Sequence, residues 1–205
     1  PKKMEILDLF AKQDRTDSVI LDTRYRTNFM AGHIKNSLLA TIDHQFNTIA
    51  GSYVKENQDI YLIIEEDKVE EAVVDLVRIG LDNIVGYATP DELINSGLSL
   101  TTTKTIRFDE VDELMETGSY NLLDTRKKSE FDEGHHPEAI NIAHTRLLAR
   151  LEEIPTDKPL IVHCKSGNRA SFASALLETA GWEVLYVNDQ VEPWLMKNDL
   201  LVESH

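Results

Sequence analysis

One stretch of this chain concentrates reactive side chains. It reads Leu160-Ile161-Val162-His163-Cys164-Lys165-Ser166-Gly167-Asn168-Arg169-Ala170-Ser171. An apolar strand runs into Cys164, the one cysteine among 205 residues, and a Gly-containing loop then leads into a helix. Such a loop curls so that successive backbone N–H groups face one anion. The helix behind it adds its positive end. Both effects favour thiolate over thiol: a free cysteine has a pKa of roughly 8.5, and a helix N-terminus lowers it to about 3.5–7.5. Gly167 permits a positive φ inside the curl. Lys165 and Arg169 bring positive charge to the thiol in a chain of net charge −15. A lone cysteine after an apolar strand is otherwise a small core residue. Core packing alone does not call for Lys, Ser, Gly, Asn and Arg directly behind it. The candidate nucleophile is therefore Cys164, with Lys165, Ser166, Gly167, Asn168 and Arg169 as candidate substrate-binding residues.

The elements that must position this loop follow from the apolar pattern. Strands are expected near 121–124, 140–142, 159–163 and 184–187, and helices near 109–117, 145–152, 169–180 and 192–197. Ala173, Leu176, Leu177 and Ala180 form one helical stripe, and Val69, Val73, Leu76 and Val77 form another. Short apolar runs alternating with helical patterns read as α/β with a mainly parallel sheet.

The pattern occurs twice. Asp22-Thr23-Arg24 returns as Asp124-Thr125-Arg126, and Phe29 with Gly32-His33 returns as Phe131 with Gly134-His135, at a constant offset of 102 residues. Gly97 and the run Thr101–Thr105 read as a linker, which divides the chain into domains 1–100 and 101–205. At roughly 150 residues per domain, two small cores are feasible.

Composition narrows the function. Acidic residues outnumber basic ones 36 to 21, a poor balance for neutralising phosphates, so nucleic acid and anionic membranes are not expected partners. The longest apolar runs are about five residues, against roughly 20 for a spanning helix. No signal peptide is evident at the start. One cysteine excludes an intrachain disulfide and any zinc site built from several thiolates, and it suits a reducing cytoplasm. Pro1 in place of an initiating methionine fits a piece of a longer polypeptide.

Other conspicuous residues read as support. Asp124 and Arg126 are expected to pair beneath the loop, although Arg126 is also long enough to reach the pocket. His33 and His135 read as structural hydrogen-bonding groups. Adjacent His135 and His136 lack the spaced ligands of a metal site. His163, next to the cysteine on a strand, should face the other side of the sheet. The acidic runs at Glu65-Glu66-Asp67 and Glu152-Glu153 read as solvated surface.

Residues 119–194 resemble a rhodanese domain, a sulfurtransferase fold. The resemblance rests on Asp124-Thr125-Arg126, Glu130-Phe131, Gly134-His135, Ala139-Ile140-Asn141-Ile142 and the loop Cys164–Arg169. Residues 5–97 resemble a second, degenerate copy, so the fold implied is two tandem rhodanese-like domains, each a mainly parallel sheet flanked by helices. The resemblance implies that Cys164 takes a sulfur from an anionic donor, thiosulfate or a low-molecular-weight persulfide. It then passes that sulfur to a thiol, cyanide or sulfite acceptor without a cofactor. Arg169 would orient the donor or, alternatively, close the loop on carbonyls or a carboxylate such as Asp124. Phosphatases of this fold use a loop one residue longer, which speaks against phosphate esters. A glycine pair common after the last strand and before a Trp is absent from Val187-Asn188-Asp189-Gln190-Val191-Glu192-Pro193-Trp194, while the Trp remains. In the first copy Glu65 takes the place of Cys164, so that half is expected to be inert and to dock partners or act as scaffold. A similar tandem pair also forms the tail of proteins that carry a metallo-β-lactamase-type persulfide dioxygenase. The other reading is a non-catalytic binding module.

Overall fold

The computed structural model describes residues 1–202. The chain divides into two compact units, one spanning Pro1–Thr102 and the other running from Thr103 onward. In the first, the order is β1 (Lys2–Lys3), α1 (Ile6–Phe10), β2 (Ser18–Asp22), α2 (Arg26–Ala31), β3 (Leu38–Leu39), α3 (Phe46–Tyr53), β4 (Asp59–Ile63), α4 (Val69–Arg78), β5 (Ile84–Ala88) and α5 (Pro90–Ile94). In the second it is β6 (Lys104–Ile106), α6 (Phe108–Glu116), β7 (Asn121–Asp124), α7 (Lys128–Asp132), β8 (Ala139–Asn141), β9 (Leu160–His163), α8 (Asn168–Thr179), β10 (Val184–Val187) and α9 (Val191–Lys197).

Each unit is α/β, with one parallel five-stranded sheet and helices around it. The strand orders are β1-β5-β4-β2-β3 and β6-β10-β9-β7-β8, the same permutation in both. Strands buried on both faces read as continuous apolar runs. This accounts for Ile20-Leu21, Leu62-Ile63 and Leu160-Ile161-Val162, all 2% exposed or less. In the second unit one face of the sheet packs on Phe108, Val111 and Trp194. On the other face α8 lies against β9 and β10. Its residues Ala170–Leu177 are all buried, and the small Ala170, Ser171, Ala173 and Ser174 let it approach closely.

Four local expectations change. The end of the threonine run is strand: Lys104–Ile106 pairs in parallel with β10, since β-branched residues suit a sheet edge as well as a loop. The helix expected at 145–152 is instead two 3-10 turns, His144–Arg146 and Leu148–Glu153, with Arg150 at φ −130°. Helix α7 carries no legible stripe because five residues make little more than one turn. Within the α4 stripe Leu76 is fully buried, but Val77 remains 49% exposed.

No helix among the described residues is long and apolar enough to cross a membrane. Among them, no group of three or more His, Cys, Asp or Glu is placed to hold a metal ion.

Candidate active site

The central strand β9 ends at His163, and Cys164 follows at the C-terminal edge of the sheet, where parallel α/β sheets present ligand sites. Two bonds secure this edge: the backbone N–H and the hydroxyl of Thr125 both donate to the His163 carbonyl, each at 2.9 Å. The chain then turns through Lys165 and Ser166 to Gly167, at φ 94° and ψ −19°, and α8 begins at Asn168. This left-handed conformation favours glycine. The turn directs the Gly167 N–H at the Cys164 Sγ, 3.2 Å away. Cys164 itself is only 1% exposed. Across the loop, the Val191 N–H at the start of α9 donates to the Lys165 carbonyl at 2.9 Å. Ser166 and Asn168 are half-buried and Lys165 is exposed.

Arg169 is the second residue of α8, and its guanidinium is engaged. Nη1 and Nη2 donate to the two carboxylate oxygens of Glu130 at 2.6 and 2.7 Å. Glu130 also accepts from the Lys127 N–H at 3.2 Å. The Arg169 bonds, with its positive charge, overcome the opposing effect of burial and bring the Glu130 carboxyl down to about 2. Arg169 therefore closes the loop on a carboxylate, and that carboxylate is Glu130, not Asp124. Nothing in the spacing of Glu130 and Arg169 forecasts their meeting, since they lie 39 residues apart on separate helices.

Asp124 is occupied by Arg126. Nε of Arg126 lies 3.0 Å from both Asp124 oxygens, and Nη2 donates to Oδ2 at 2.6 Å and to the Gly134 carbonyl at 2.8 Å. Burial favours the protonated acid. The neighbouring His163 and the arginine fork outweigh it, so Asp124 is held below the usual carboxylate range. The first unit repeats the knot: Arg24 grips Asp22 and donates to the Gly32 carbonyl at 2.7 Å. His33 and His135 also repeat each other, stacking on Phe29 and Phe131 with ring centroids 3.9 and 3.7 Å apart. The duplicated Asp-Thr-Arg and Gly-His motifs are thus fastenings of the fold, present where no cysteine is available.

His163 faces away from the loop into Phe108 and Trp194, edge-on at 5.3 and 5.8 Å. Burial holds it below its ordinary range while Asp124 pulls the other way. Its Nε2 stands 3.7 Å from Asp124 Oδ2 and has no hydrogen-bond partner among the described residues.

A cavity of about 170 Å³ lies beside the loop, with Arg126, Glu130, Gly134, Lys165, Val191 and Leu201 among its walls; Cys164 is not one of them. In the first unit the strand register places Ile64 where Cys164 stands, since Asp22 pairs with Ile63 as Asp124 pairs with His163. The expected equivalence with Glu65 is therefore off by one. Ile64 is fully buried, and an aliphatic side chain holds no sulfur. The following acidic residues form a 3-10 turn at Glu66–Lys68.

The profile of the rhodanese-like domain family matches residues 107–197. The chain is 30% identical over 96 residues to the thiosulfate sulfurtransferase GlpE of Pseudomonas syringae, covering 46% of this chain and 90% of that protein. It is 33% identical over 81 residues to an HTH-type transcriptional regulator of Mycobacterium tuberculosis, covering 38% of this chain but 36% of the regulator. Among solved structures it is similar to reduced Bacillus anthracis CoADR-RHD, at 28% identity and a TM-score of 0.45 over 49% of this chain and 18% of that one. On the matched residues, which include the whole Cys164 loop, the chain belongs to the rhodanese-like domain family.

Proposed function

We propose that the second unit is a sulfurtransferase acting through a Cys164 persulfide. The observation that carries this reading is the Gly167 N–H at 3.2 Å from the Cys164 Sγ, in a loop that opens a helix. A donor N–H and a helix N-terminus favour an anionic sulfur. With thiosulfate, the thiolate attacks the outer sulfur; the S–S bond of the donor breaks and sulfite leaves with the bonding pair. The enzyme persulfide then gives its outer sulfur to cyanide, sulfite or a thiolate, and the Cys164 thiolate returns. No net oxidation occurs over the cycle. A low-molecular-weight persulfide serves as donor by the same attack, with a thiolate as leaving group. Lys165 meets the anionic part of the donor, and Ser166, Gly167 and Asn168 supply the loop backbone around the transferred sulfur. Arg169 holds the loop through Glu130, and Asp124 with Arg126 supports the strand end beneath it.

The first unit is proposed to be an inert rhodanese-like domain, because Ile64 stands at the sulfur position. The tandem suits a cytoplasmic protein and the tail of a persulfide dioxygenase fusion, which would supply donor sulfur locally. A binding module is the second reading, favoured by the near-complete burial of Cys164.

Intact mass after incubation with thiosulfate separates these readings. Sulfurtransferase chemistry adds about 32 Da to the single thiol; cyanide then removes it as thiocyanate, and Cys164→Ser gains nothing. An unmodified wild-type chain with no turnover leaves the binding module.

A further inference from the structure

The phenol of Tyr186 is fully buried on β10, next to β9 in the sheet. Its hydroxyl donates to the Gly167 carbonyl at 2.9 Å and lies 3.2 Å from Asn188 Oδ1. The same Gly167 carbonyl accepts from the Ser171 N–H at 3.0 Å, the first turn of α8. One glycine thus has its carbonyl fixed by Tyr186 and Ser171 and its N–H aimed at the candidate nucleophile. A Cβ at Gly167 would come within 2.6 Å of Asn188 Oδ1 and 2.9 Å of the Tyr186 hydroxyl. The phenol and the amide therefore fill the space behind the loop. A buried hydroxyl seldom lacks a partner, and this one spends its proton on the residue that faces the sulfur.

We infer that Tyr186 is a positioning residue of the Cys164 loop, acting through Gly167 to set the thiolate. The inference rests on the sulfurtransferase reading only for its effect on turnover. Its effect on the thiol is separate. A donor at the Gly167 carbonyl pins the backbone on that side of the glycine, and with φ at 94° this sets the direction in which the Gly167 N–H meets the sulfur. Asn188 Oδ1 lies within hydrogen-bond distance of the phenol and shares the space behind Gly167.

The test is the pH profile of Cys164 alkylation by iodoacetamide in the full chain, together with steady-state transfer from thiosulfate to cyanide. Tyr186→Phe keeps the ring and leaves the Ser171 bond to the Gly167 carbonyl. The other charged or titratable groups about the loop are Lys165 with Glu133 and Glu192 on the adjoining cavity, Arg169 with Glu130, His144, His163 and the Asp124–Arg126 pair, and the variant replaces none of them. The thiol midpoint should rise by about 0.5–1 unit, the scale of one net hydrogen bond, with kcat reduced several-fold and KM little changed. Site-specific 3-fluorotyrosine at 186, a stronger donor of nearly the same shape, should move the midpoint down when read below neutral pH. It stands in if the phenylalanine variant does not fold. An unmoved midpoint in a folded variant overturns the inference while transfer by the wild type persists. Absence of a persulfide in the wild type defeats the functional reading and leaves the alkylation result standing.

Discussion

Arg169 and Glu130 meet as a two-pronged ion pair, with N–O distances of 2.6 and 2.7 Å and side-chain exposures of 18% and 26%. The arginine most obviously available to a donor anion is thus already neutralised. It stabilises the start of α8 instead, and Lys165 is the loop cation that makes no ion pair among the described residues. A carboxylate held this way loses its partner only in strong acid.

Glu130→Gln should therefore have two separable effects. Freed from the fork, Arg169 can offer its charge to an anionic donor, and KM for thiosulfate should fall several-fold. In stability, a folded pKa depressed from 4.5 to about 2 gives a contribution complete above pH 4.5 and lost as pH falls toward 2. Wild type should exceed the variant at neutral pH, and the gap should close across that window in chemical denaturation. A constant gap from pH 5 to pH 2 would show that the pair does not titrate as described.

Gly167→Ala places a side chain at φ 94° and against Asn188 and Tyr186. A non-glycine residue in this region costs about 1–3 kcal/mol, and relief by moving the loop would carry the Gly167 N–H off the sulfur. Sulfur transfer should fall by more than the loss of stability explains. Thermal melting beside intact-mass loading at a temperature where the variant is folded provides the comparison.

Arg126→Met strands the buried Asp124. Breaking a buried pair in this way costs about 3–5 kcal/mol. Arg24→Met, at the equivalent knot around Asp22, should cost a similar amount with no direct effect on thiol chemistry. Urea titration of both variants, followed by Cys164 alkylation in their folded baselines, would refute the structural role of Arg126 if it left stability untouched and abolished reactivity.

His144 is buried near the Arg169 end of the site. Burial first, and then the positive charge of Arg169, bring it down from 6.5 to about 4. A histidine kept neutral by the fold contributes stability in full above pH 6.5, and that contribution is lost as pH falls to about 4. The melting temperature should decline through this interval, and His144→Gln should flatten the decline. An identical slope in the variant would assign the loss to other groups.

The class of fold and the place of the chemistry are legible in the residues alone. Twofold alternation of apolar strands with helices gives parallel sheets, because strands buried on both faces carry no polar alternation. Cys164 marks the loop because polar and charged residues directly behind a buried strand have no packing reason to be there. The duplicated Asp-Thr-Arg and Gly-His motifs disclosed the repeat. Their meaning came only with three dimensions, where Arg126 and Arg24 are seen to tie a strand end to a glycine carbonyl 8 residues away. Tertiary structure also chose Glu130 as the partner of Arg169, 39 residues distant, and put the Tyr186 hydroxyl on Gly167. It also placed Ile64 in the sulfur position. These are contacts between side chains on different elements, set by the register of parallel strands and the helices packed on them. Local sequence encodes how each element forms and which face it buries, but a pairing across the sheet depends on distances that exist only once the chain has folded.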